Sequence, residues 1–172
     1  MIFALASAIA LAAVMTFGDW LWAALHIRHT MAAGMLHGAA VCLCLGAVVG
    51  LHARRPLAGI VAGPFVGVLA AAVFYALAPM LRLMAMFPAW MFFWICFALL
   101  HGRLARERGF GAPLVRGIAA AVLSGIAFYV ISGIWTRHDP SGPNYTWNVA
   151  AWTFAFLPGF LALFWGSRAR AR

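Results

Sequence analysis

Residues 56–102 read PLAGIVAGPFVGVLAAAVFYALAPMLRLMAMFPAWMFFWICFALLHG, forty-seven residues with one charged side chain, Arg82. A helix needs about 20 residues to cross the hydrocarbon core of a bilayer. The stretch is therefore predicted to form two membrane spans joined by a very short turn. Arg82, bracketed by Pro79 and Pro88, marks that turn, and the rest of the chain falls into antiparallel helices on either side.

The whole chain shares this character. Of its 172 residues 66% are hydrophobic and 9% charged, and its mean hydropathy is +0.98. A soluble domain carries about 25% charged residues, so this inventory cannot build a water-exposed surface, and the chain reads as an integral membrane protein. Its net charge of +9 comes entirely from arginine, placed in short segments between apolar runs. That distribution is topogenic; it is not a nucleic-acid surface. The three cysteines all lie in apolar runs and offer no disulfide framework. Met1–Val14 lacks the positively charged start of a secretory signal, and its apolar run continues to Phe17 and beyond, so it is read as a span.

Six spans result, at about 2–25, 31–51, 57–77, 83–100, 113–135 and 147–166, in a single transmembrane domain covering 1–172. The predicted fold class is thus an all-α, six-helix membrane bundle. Arginine placement tests the count. With six spans, one side holds Arg54, Arg55, Arg103, Arg106, Arg108, Arg116, Arg168, Arg170 and Arg172, and the other holds Arg28, Arg82 and Arg137. Positive charge marks the cytoplasmic side, so both termini are expected there. Trp20, Trp22, Trp135, Tyr145 and Trp147 cluster toward the arginine-poor side, where amphipathic rings favour the headgroup level.

Small residues recur every fourth position in span three, at Gly59, Gly63 and Gly67, with Gly34, Gly38, Gly46 and Gly50 in span two. Such faces let helix backbones approach closely in lipid. The partner is either a helix of the same chain or a second copy, which would make a homo-oligomer through the Gly59–Gly63–Gly67 face.

Asp19 and His37 are the ionisable groups expected inside the spans. Folding spans one and two about the turn near Ile27 places them at similar depth. An intramembrane carboxylate is costly and is usually partnered or faces a cavity. Three readings are open: a structural Asp–His hydrogen bond, the polar end of a ligand cavity, or part of a proton relay. Arg82 is expected to snorkel to the interface. Pro158, in the Leu157–Phe160 segment, frees the carbonyl of Phe154 at mid-span, which predicts a kink or a pocket wall.

Cys42 and Cys44, two apart on a helix, point in nearly opposite directions and cannot share a metal. His37 is expected to be the buried histidine, with His26, His29, His52, His101 and His138 at span ends, a poor arrangement for haem. No nucleophile constellation, phosphate loop or paired carboxylates occur, so neither a cofactor nor catalysis is expected. Asn144-Tyr145-Thr146 matches the glycosylation sequon, which is discounted because the Arg- and Ala-rich composition reads as bacterial.

Phe128–Trp135, FYVISGIW, near the end of span five resembles a run at the same place in the insulin-induced gene (Insig) family. Asp139-Pro140, Tyr145, and a sixth span with Trp152 and Leu157-Pro158 are similar to the family's chain beyond that run. The texture of Gly38–Gly50 is similar to its second span. The resemblance implies a six-span bundle enclosing a lipid-accessible pocket, with no catalytic step. The family's acidic character between spans three and four is replaced here by Arg82, so its protein partner is not carried over. A bacterial inner-membrane setting would make the ligand diacylglycerol-like, or sterol-like in the manner of a hopanoid. Candidate lipid contacts, chosen by polarity and depth, are Asp19, His37, Tyr75, Tyr129, Ser132, Trp147, Trp152 and Pro158, with the pocket expected between spans five, six and a neighbour. A quinone- or haem-associated redox protein and a small transporter are the competing readings.

Overall fold

The computed structural model describes residues 1–27, 30–135 and 144–167, the side chains of Leu83 and of residues 132–135 apart. Residues 136–143 of the predicted loop 136–146, Arg28, His29 and residues 168–172 with the terminal arginines lie outside the described residues. Among those described there are six helices, each long and apolar enough to cross a membrane, and no strand. They are α1 (Ile2–Ala24), α2 (Met31–His52), α3 (Pro56–Leu81), α4 (Met86–Leu104), α5 (Gly111–Trp135) and α6 (Tyr145–Phe164). The chain is a multi-pass membrane bundle.

Helix ends explain the boundaries. Thr30 and Asn144 cap α2 and α6 by accepting from the Ala33 and Trp147 amides. Asn144, the first residue of the sequon, thereby has a structural use. Helices α1, α2 and α4 are closed by His26, Arg54 and Arg106 in left-handed backbone, with the next amide bonding back across the last turn. Glycine usually fills that position. Pro79, expected to flank the turn, lies inside α3, which runs on to Leu81; a 3-10 turn, Arg82–Ala85, then leads into α4.

Neighbours around the bundle follow the order α2, α3, α4, α5, α6, α1, and the circuit is loosest where α1 meets α2. The tightest seam joins α2 to α3. A Cβ added to Gly59, Gly63 or Gly67 would overlap the carbonyl oxygens of Gly46, Cys42 and Gly38 respectively. The glycine face of span three is therefore engaged within the chain, and an oligomer would have to use another surface. Half a turn away, Leu57, Val61, Phe65 and Leu69 repeat with the same period and point outward, each more than half exposed. Helix α3 thus shows backbone to α2 and side chains to lipid.

Aromatic rings set the opposite half. Trp90, Phe93, Trp94 and Phe97 of α4 meet Trp152, Phe156 and Phe160 of α6; Trp90 stacks on Phe156 at 5.3 Å and Trp94 meets Phe160 edge-on at 5.5 Å. Gly159 makes room for the Trp94 indole. Pro158 lies within α6 without ending it. Beside it, Ser124 of α5 donates to the Ala155 carbonyl at 2.6 Å and accepts from Trp90 Nε1 at 3.0 Å. Phe3, His52, His101 and Phe164 pack together at one end, so Met1 and Ser167 share the end that carries Arg54, Arg55 and Arg103.

Candidate functional site

Small residues on facing helices leave space that the bulky residues on α4 do not fill. Gly34, Gly38, Gly67, Ala70 and Ala71 line one side of a cavity of about 600 Å³, and Leu11, Met15, Trp90 and Phe93 line the other. The cavity lies among α1, α2, α3 and α4, with Phe156 of α6 as a back wall. Its α1 lining runs from Leu11 to Ala23, about 18 Å of helix at 1.5 Å per residue. It is elongated along the bundle and overwhelmingly apolar.

The polar groups concentrate toward the arginine-poor end: Asp19, Trp22, His37 and Tyr75. Trp152, 7% exposed, donates its Nε1–H to Asp19 Oδ2 at 3.0 Å. The His37 ring meets Trp22 edge-on at 5.8 Å, and a Cβ on Gly18 would stand 2.7 Å from its Cε1. The glycine before Asp19 is thus the notch in which the imidazole rests. Asp19 and His37 are neighbours, as their depths predict, but the hydrogen bond to Asp19 comes from Trp152. Tyr75 folds over Gly34 and donates to the Thr30 carbonyl at 3.1 Å, tying α3 to the start of α2.

The structure therefore gathers Asp19, His37 and Tyr75 in one cavity, with Trp152 directly behind them. It does not bring in the other candidates. Tyr129 packs on Phe87 and Phe128 of the α4–α5 seam, Trp147 is 46% exposed at the start of α6, and Pro158 does not line the cavity. Ser132 lies on α5 with its side chain outside the described set. The cavity lies among α1–α4 and not between spans five, six and a neighbour, where the pocket was expected. Helices α5 and α6 pack against each other, α6 runs on through Pro158, and Ser124 of α5 donates to the Ala155 carbonyl one turn before it. The missed signal was the coincidence of small residues on α2 and α3 with Met86, Ala89, Trp90 and Phe93, which share one face of α4.

A second polar cluster lies at the arginine-rich end, and it corrects the view of His37 as the buried histidine. His37 is half-buried, whereas His101 is 1% exposed. His52 Nδ1 lies 2.8 Å from His101 Nε2, His101 Nδ1 faces Glu107 Oε1 at 3.8 Å, and Glu107 pairs with Arg116, itself 8% exposed. Among the described residues, no three His, Cys, Asp or Glu side chains converge as metal ligands.

No family model matches the chain, and no curated protein or solved structure matches it either.

Proposed function

We propose that this membrane bundle is a non-catalytic lipid-binding protein that holds one apolar lipid, diacylglycerol-like or sterol-like, in the cavity among α1, α2, α3 and α4. The carrying observation is the cavity itself, about 600 Å³ with an apolar wall and a polar group of Asp19, His37 and Tyr75 at one end. Small-molecule sites have this form: about 300–1,000 Å³, mostly apolar, with a few placed polar groups. The sparse α1–α2 seam supports entry from the bilayer side. The resemblance of Phe128–Trp135 and of the sixth span to the Insig family supports the same reading, with both termini cytoplasmic in a bacterial inner membrane.

Mild detergent extraction followed by native mass spectrometry tests the proposal. A single lipid retained at one-to-one stoichiometry is expected, surviving activation that strips annular lipids. A chain that always flies bare, with no lipid recovered by solvent extraction, would count decisively against it.

A further inference from the structure

A cavity for a lipid still has to be matched to a headgroup, and its polar end carries that information. Among the described side chains that line it, Asp19 is the only carboxylate, and neither arginine nor lysine is present. Asp19 lies five residues before the end of α1, about 8 Å along the helix, so a head that reaches it leaves bulk water behind. Its Oδ2 is held by the buried Trp152 indole, while Oδ1 accepts no hydrogen bond from a described residue. His37 stands beside it, fixed by Trp22 and the Gly18 notch, with no hydrogen bond to a described residue at either ring nitrogen.

Resting on the lipid-filled cavity proposed above, we infer that the head is a neutral hydroxyl, donated to Asp19 Oδ1 and accepting from the His37 imidazole N–H, and that Asp19 turns phosphate headgroups away. A hydroxyl offers one donor and two acceptor lone pairs, which complements an open carboxylate oxygen beside an imidazole. An ionised phosphate brings acceptors only. It would leave Asp19 unmatched and set like charges together in a medium of low dielectric, with no cation in the lining to offset them. Trp152 is then a positioning residue, aiming the free oxygen into the cavity from α6.

The test uses the full chain in detergent and reads quenching of tryptophan fluorescence by lipids brominated on their acyl chains. Trp22 and Trp90 line the cavity, and the cavity signal is the saturable part that shrinks in Trp22→Phe. Three probes share the same chains: 1,2-diacylglycerol, its 3-O-methyl ether, and the matching phosphatidate. The diacylglycerol is expected to bind about tenfold or more tightly than either of the others, the scale of one hydrogen bond to a charged group. Asp19→Leu should bring the diacylglycerol down to the ether's affinity. Asp19→Asn has one acceptor oxygen, which the Trp152 N–H holds, so an amide NH2 takes the place of Oδ1: the diacylglycerol should fall toward the ether's affinity, and with the charge gone the gap to phosphatidate should narrow. Equal affinities for all three probes, or a preference for phosphatidate, would overturn the headgroup assignment and leave the cavity proposal standing. Absence of saturable quenching by any probe would overturn both.

Discussion

His52 Nδ1 on α2 lies 2.8 Å from His101 Nε2 on α4, joining two helices that otherwise touch little. The contact continues through Glu107 to Arg116 on α5, so one polar chain ties three helices at the arginine-rich end. Phe164 stacks on His52 at 4.2 Å and brings in α6.

Replacing His101 with phenylalanine keeps a ring against Phe164 but removes both nitrogens. His52 would lose its hydrogen-bond partner in a poorly solvated place. The expected cost is about 1–3 kcal/mol, read as a lower midpoint in thermal unfolding of the detergent-solubilised protein. An unchanged midpoint would mean that the cluster contributes packing alone.

Ser124 bridges Trp90 Nε1 and the Ala155 carbonyl, and all of its side chain is buried. Ser124→Ala strands an indole N–H and leaves a buried carbonyl with one partner fewer. A loss of about 1–3 kcal/mol is expected. Because the bond joins α4, α5 and α6, hydrogen exchange should speed up on all three helices; faster exchange confined to α5 would contradict the bridge.

The α2–α3 seam predicts intolerance to side chains. Gly63→Val would drive a branched side chain into the Cys42 carbonyl. Overpacking of this kind costs about 1–3 kcal/mol, and more where the obstacle is backbone that cannot swing away. Val61→Ala, on the lipid-facing side of the same helix, should by contrast shift the unfolding midpoint little. Similar effects at both positions would refute the assignment of faces.

Filling the cavity tests its use directly. Ala70→Phe places a ring in the open volume between α3 and α4. Co-purified lipid should fall to background while the helical circular dichroism is preserved. Lipid retained at the wild-type ratio would place the ligand elsewhere on the bundle.

Orientation is open to chemical mapping. In a chain with Cys42, Cys44 and Cys96 replaced by alanine, Arg108→Cys and Ser167→Cys should react with an impermeant maleimide only from the cytoplasmic side. Tyr145→Cys should react only from the opposite side. Labelling of Arg108→Cys and Ser167→Cys from different sides would refute the six-span threading.

The sequence alone determined the number of spans, the pairing of their ends and the common side of the termini. Hydrophobic length and arginine placement are additive along the chain, and the bilayer reads them one segment at a time. Residues 56–102 carried this most plainly, and the equal depth of Asp19 and His37 came from helical rise. Which faces meet was decided only by the tertiary structure. Small residues at Gly38 and Gly67 are equally fit for a neighbouring helix or a second copy, and close packing alone selects between them. His101 looked like a span-end residue because a histidine carries no mark of the helix that will cover it. The cavity among α1–α4 is legible in no single span. It is the volume left when the glycine-faced pair α2–α3 and the aromatic pair α4–α6 each pack to their own distance, and such a remainder depends on all the helices together.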